Sequence, residues 1–228
     1  MQDSDIRYLN MGRRVDDFNV THNAAFPLGS RGNQLIVVIR AAVTAMETAG
    51  GRQDAAERDW QEATAQKEAA RLVLLQLLRI ISRTARGMRK LMPGIAEQFR
   101  MPRTYSDQLI INAARAFLAA ATPIPAEFIK RGLAADFLTT LESAITEFES
   151  AIDRQNTARG EQTTATAAIN DARQQLIDAI TEYSPIVLNT FATDATVRVA
   201  WKKASRVERA PKRAKKTPPP TPTPAPTS

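Results

Sequence analysis

Residues 35–86 read LIVVIRAAVTAMETAGGRQDAAERDWQEATAQKEAARLVLLQLLRIISRTAR. The stretch lacks proline and is dominated by alanine, glutamate, glutamine and arginine, all good helix formers. One heptad position runs Leu35, Ala42, Ala49, Ala56, Ala63, Ala70, Leu77; its partner position runs Ile39, Met46, Gln53, Trp60, Lys67, Leu74, Ile81. A phase sustained that long predicts helix with one continuous packing seam.

Displaced by 102 residues, the stretch lies over residues 137–188 without a gap, with 14 of 52 positions identical. Arg52-Gln53 falls on Arg154-Gln155, Ala63-Thr64-Ala65 on Ala165-Thr166-Ala167, and Ala70-Arg71 on Ala172-Arg173. The heptad phase persists in the second copy, with alanine at 144, 151, 158, 165, 172 and 179. Two architectures fit. Each copy is one helix of about 50 residues packed antiparallel on the other, or each is a hairpin in a four-helix bundle. Gly50-Gly51 and Gly160 would mark the hairpin turns, yet they do not align under the displacement. A turn would also break the heptad phase, so single long helices are expected. Alanine buries little area, so the middle of the seam should be its weakest part. Gln53 and Gln155 occupy equivalent seam positions, where they either fix register or stand exposed.

Around this pair the chain divides into an irregular N-terminal arm (1–32), a helical domain (33–204) and a disordered basic, Pro/Thr-rich tail (205–228). The connector, 91–132, carries Pro93-Gly94, Pro102, Pro123 and Pro125 as breakers. A short helix is predicted from Ser106 as N-cap to Ala121, and another turn from Pro125. The second long helix should stop at Pro185, and a last one should open at Asp194 and reach about Ala204. The fold expected is all-α.

The charge is uneven. Of 31 Lys+Arg and 24 Asp+Glu, eight basic residues and one acid lie beyond Trp201, which accounts for the whole net charge of +7. These cations are Lys202, Lys203, Arg206, Arg209, Lys212, Arg213, Lys215 and Lys216. Clustered cations before a disordered segment are a footprint of sequence-independent nucleic-acid binding, although they also serve solubility or anionic lipid. Trp201, directly before them, packs in a core or stacks on a base. A weaker candidate is the stripe Arg79, Arg83, Arg86, Lys90, which follows one helical face. Either it is a phosphate-binding ridge, or it pairs with the acidic start of the second copy: Asp136, Glu142, Glu147 and Glu149. Pairing is the expectation favoured here.

No cysteine is present and His22 is the one histidine, so a thiolate metal site, a disulfide framework and a multi-histidine site are excluded. No Gly-rich phosphate loop, nucleophile elbow or Glu-x-x-His pair occurs. We therefore expect no catalytic residue, no metal, no cofactor and no small-molecule substrate. His22 reads as a loop or cap residue. The longest apolar run, residues 35–39, is far short of the roughly 20 residues that span a bilayer, and residues 1–11 offer no secretory signal core. The chain is expected to be cytoplasmic.

Several segments have a character of their own: Val15-Asp16-Asp17-Phe18, Thr21-His22, Ala24-Ala25-Phe26, Arg83-Thr84-Ala85-Arg86 and Phe99-Arg100-Met101-Pro102-Arg103. Ala113-Ala114-Arg115-Ala116-Phe117, Ala135-Asp136-Phe137-Leu138, Ala200-Trp201, Ala204-Ser205 and Val207-Glu208-Arg209-Ala210-Pro211 continue the set. Through these, residues 13–215 resemble a family of uncharacterised bacterial all-helical proteins. The resemblance implies a similar helical build with a basic, proline-containing end, and it carries no activity or site residue. The group's typical first long helix looks more acidic near Leu74–Leu78, so the basic stripe is expected to be particular to this chain. The expected function is a non-enzymatic helical scaffold or interaction protein, with a protein partner or self-association. The alternative is a nucleic-acid-associated protein that binds through the tail.

Overall fold

A computed structural model describes residues 1–208. Among these the chain is all-helical: α1 (Asp3–His22), a 3-10 turn (Asn23–Ala25), α2 (Arg31–Met88), α3 (Ile95–Gln98), α4 (Asp107–Ala121), α5 (Pro125–Ile129), α6 (Phe137–Thr190) and α7 (Ala195–Ala204). Each long stretch is one unbroken helix, of 58 residues in α2 and 54 in α6, and not a hairpin. The expected tail from Arg209 onward lies outside the described residues. No helix among them is long and apolar enough to cross a membrane.

The chain forms two compact units. One comprises Met1 with Ala41–Gln175; the other comprises Gln2–Arg40 with the described part of Leu176–Ser228. This differs from the expected division into arm and helical domain, because the first forty residues share a unit with the end of the chain.

In the first unit the alanine seam forms as the heptads predict. Ala42, Ala49, Ala56 and Ala63 are buried on α2, as are Ala151, Ala158, Ala165 and Ala172 on α6. Two side-chain bonds set the register. The Gln53 amide donates to Thr166 Oγ1 at 3.0 Å, and the Gln155 amide donates to Thr64 Oγ1 at 2.8 Å. Between them the Gln162 amide donates to the Glu57 carboxylate. Four residues forward on α2 (53 to 57) is four back on α6 (166 to 162), and seven more forward (to 64) is seven more back (to 155). The helices are therefore antiparallel, and the two Gln–Thr bonds are related by the same 102-residue displacement that aligns the sequence.

At one end of the unit the seam turns strongly apolar and the connector folds over it. Leu74, Leu78, Ile81, Met88, Leu141 and Phe148 meet Phe99, Phe117 and Phe128 in one buried cluster. α4 contributes Ile110, Ile111, Ala114, Phe117 and Ala121, the one face that a 3.6-residue period brings together. Gly94 (φ 86°) and Gly132 (φ 90°) take the left-handed conformation that the connector's turns require and that side chains disfavour.

In the second unit the expected irregular arm is instead helix α1. Its buried residues Leu9, Gly12, Val15, Phe18 and Asn19 recur every three or four positions, a stripe that the surrounding charges conceal. Asp5 accepts from the Gln2 backbone N–H at 3.2 Å, which occupies one of the free donors at the helix start. Phe18 meets Trp201 at 5.2 Å between ring centroids, Trp201 meets Tyr183 edge-on at 5.3 Å, and Phe26 meets Tyr183 at 5.2 Å. Asp194 caps α7 as predicted, accepting from the N–H groups of Thr196 and Val197 at 3.0 and 3.1 Å.

Pro185 does not stop α6, contrary to expectation. Proline removes the bond to the carbonyl four residues back, which here belongs to Thr181. Thr181 and Pro185 both lie on the exposed side, where that carbonyl meets solvent, while Tyr183 and Val187 are fully buried and hold the helix in place.

The Tyr183 hydroxyl is buried and has no hydrogen-bond partner among the described residues, and burial raises its pKa. Removing an unsatisfied buried hydroxyl relieves a desolvation penalty. Tyr183→Phe should therefore leave stability unchanged or raise it by about 1 kcal/mol in chemical denaturation. A loss of that size would show that the hydroxyl is in fact satisfied.

Candidate functional site

The sequence singled out two basic clusters, one in each unit. In the first unit, Arg79, Arg83, Arg86 and Lys90 are all exposed at the end of α2, and the fold adds Arg89 to them. Arg83, Arg86, Gly87, Arg89 and Lys90 line one open depression. The expected pairing with the start of the second copy does not occur: none of these cations forms an ion pair among the described residues. Two of the carboxylates nominated for it have other partners: Glu149 binds Arg115 at 2.6 Å, and Glu147 binds Arg154 at 2.6 Å. For these two the antiparallel register is the reason. Continued along α6, it sets Glu147 and Glu149 beside residues 72 and 70, upstream of the stripe. Asp136 forms no ion pair with the stripe, although the same register brings it level with Arg83.

Other cations of the same unit are matched. Lys67 Nζ lies 3.1 Å from Asp107 Oδ2, and Arg71 approaches Glu68 at 3.3 Å while donating to the Tyr105 carbonyl at 2.6 Å. Lys130 and Arg131 both bind Glu127 at 2.8 Å, and their hydrogen bonds, with Lys130's the larger, hold its carboxyl below the usual carboxylate range. The end of α2 is thus a run of cations without ion pairs, whereas Lys67, Arg71, Arg115, Lys130, Arg131 and Arg154 of the same unit have carboxylates at hand.

The second cluster is only partly within the described residues. Lys202 and Lys203 stand exposed on α7, and with Arg14, Arg206 and Glu208 they line a depression. Arg14 donates to the Arg206 carbonyl at 2.6 Å and to Glu208 Oε1 at 3.0 Å, so the one acid of the cluster is engaged. Arg209, Lys212, Arg213, Lys215 and Lys216 lie outside the described residues. Arg14 carried no sequence signal, since it sits in a segment read as irregular.

Trp201 is not available to stack on a base. It is 1% exposed, and its Nε1–H donates to Ser184 Oγ at 3.1 Å. His22 ends α1, with its ring 4.4 Å from Phe18 and 5.5 Å from Phe191. No group of acidic and histidine residues able to hold a metal occurs among the described residues.

A third feature escaped the sequence reading. On one side of the central seam the helix pair leaves an open groove, floored by Ala55, Ala56, Ala165 and Ala168 and rimmed by Arg52, Asp59 and Glu161. Of these alanines only Ala56 and Ala165 belong to the heptad seam; that they and their neighbours Ala55 and Ala168 leave a trough beside it follows only once the register is known.

No family model, curated protein or solved structure matches the chain.

Proposed function

We propose that the chain is a non-enzymatic helical scaffold that assembles through the groove of its first unit, with a helix of a second copy as occupant. The observation that carries this is the groove itself: an alanine floor, which lets helices approach closely, beneath a rim of opposite charges. Arg52 and Asp59 lie two turns apart on α2 and are both exposed. A twofold axis across the groove sets Arg52 of each copy against Asp59 of the other, the self-complementarity that a closed dimer requires. The nucleic-acid alternative through the C-terminal tail is supported by exposed Lys202, Lys203 and Arg206, and Arg209, Lys212, Arg213, Lys215 and Lys216 lie beyond the described residues.

Sedimentation equilibrium tests the scaffold reading. The wild type should show a mass above 25.1 kDa that rises with concentration. Arg52→Asp and Asp59→Arg should each weaken association about tenfold, equivalent to about 1.4 kcal/mol, and the double reversal should restore it. A monomeric wild type, or a double reversal no better than either single, sinks the reading.

A further inference from the structure

We infer that the end of α2 is a docking face for the phosphate backbone of duplex nucleic acid, gripped by Arg79, Arg83, Arg86 and Lys90 without reading of sequence. The inference rests on residues apart from the groove and stands or falls independently of self-association.

Three features lead to this occupant. The first is the absence of internal counter-charges. An exposed cation gains little from a distant acid, and these have none in contact among the described residues, so their field projects outward. The second is the regularity of the row. Steps of four and three residues keep Arg79, Arg83 and Arg86 on one helical face, about 10 Å long at 1.5 Å per residue, and Lys90 follows in the turn just past the helix end. A phosphate backbone is a row of evenly repeated single charges, and these four successive cations can each meet one. Three of the four are arginine, whose planar fork binds phosphate oxygens in a bidentate manner.

The third feature is what the face lacks. From residue 76 to residue 90 the exposed positions are Gln76, Arg79, Arg83, Arg86, Gly87, Arg89 and Lys90. Leu91, exposed beside Lys90, is the one large apolar side chain next to them, too little for the aromatic or aliphatic anchor cluster that a protein interface uses. It is also too little to enter a bilayer, since Leu74, Leu75, Leu78, Ile81, Ala85 and Met88 are committed to the unit's own core. A mainly electrostatic face fits a ligand whose recognition is mainly electrostatic. Gly87 stands among the cations, and the space where its Cβ would be is empty, so a phosphate can come close to the helix backbone.

The experiment is fluorescence anisotropy of a labelled 30-base-pair duplex titrated with full-length protein over a salt series. Four phosphate contacts contribute a slope of about −3.6 in log K against log salt, which is about a 150-fold loss between 50 and 200 mM. The quadruple variant Arg79→Gln, Arg83→Gln, Arg86→Gln, Lys90→Gln should lose that component and bind at least tenfold more weakly at 50 mM salt. Glutamine is a good helix former, so its helicity and melting should match the wild type. Arg83→Gln alone should remove about 0.9 from the slope, which keeps the test open if the quadruple variant fails to fold. Arg115→Gln, whose cation is already paired with Glu149, should change nothing.

A tail variant with Lys212, Arg213, Lys215 and Lys216 replaced by glutamine should retain the stripe's share of the slope. The inference is overturned if the tail variant abolishes binding or if the quadruple variant binds like the wild type. It is equally overturned if the wild type ignores the duplex at 50 mM salt, or if phosphatidylserine vesicles recruit the protein and the duplex does not.

Discussion

Phe99→Ala is expected to destabilise the first unit by about 3–5 kcal/mol, the range for a large aromatic removed from a closed core. Phe99 is fully buried, and it meets Phe117 and Phe128 edge-on, each at 5.2 Å between centroids. Phe128 in turn meets Phe137 at 5.5 Å. One side chain from the connector therefore bridges α4 and α5, and Phe128 carries the stack on to the start of α6. Its loss removes two aromatic pairs, each worth about 0.5–1.5 kcal/mol beyond burial, and leaves a void that rigid neighbours fill only in part. Phe99→Leu keeps most of the volume but loses both aromatic pairs, and should cost about 1–3 kcal/mol. Each unit holds one tryptophan, so Trp60 fluorescence in a Trp201→Phe background reports the first unit during urea unfolding. A loss below about 1 kcal/mol for the alanine variant would mean that this cluster is not what fixes the connector.

Trp201→Ala should have an effect of similar size on the second unit, about 3–5 kcal/mol. The indole is packed against Phe18 of α1 and Tyr183 of α6, and its N–H is bonded to Ser184. It is the residue through which α7 holds both. Trp201→Phe preserves an aromatic body but loses the hydrogen bond and some volume, so about 1–2 kcal/mol is expected. Near-UV circular dichroism, with Tyr183 as reporter, follows the same cluster directly. If alanine at 201 left that signal and the unfolding midpoint in place, α7 would be held by something other than its indole.

What could be read from residues alone followed the kind of physics involved. The heptad phase of Leu35–Leu77 and its partner positions is local and periodic, and it gave unbroken helices, the buried alanines and the antiparallel pair. The Asp194 cap and the Ser106–Ala121 helix are equally local. Helix α1 was missed because its stripe of Leu9, Val15 and Phe18 lies among Arg7, Arg13, Arg14, Asp16 and Asp17. Only burial against another element separates such a stripe from solvated sequence. Pro185 was misjudged for the converse reason: its local penalty is real, but Tyr183 and Val187 outweigh it. The basic stripe was visible as a face. Its lack of partners was not, because that depends on side-chain placement across the pair and on Arg115 and Arg154 engaging Glu149 and Glu147, which composition does not encode. The groove beside the alanine seam depends on the offset between α2 and α6.

Alanine at every seventh position makes a contact that looks the same after a slip of one heptad, so apolar packing alone leaves the alignment of the pair degenerate. The glutamines remove the degeneracy. A slip of seven in one direction would carry Gln53 from Thr166 to Arg173, and in the other direction to Arg159; Gln155 would leave Thr64 for Arg71 or Glu57. Each error replaces a short threonine hydroxyl with a long charged side chain at the seam, at both symmetric places at once. The change is thus counted twice for every misalignment, and two modest polar contacts distinguish one alignment from its neighbours.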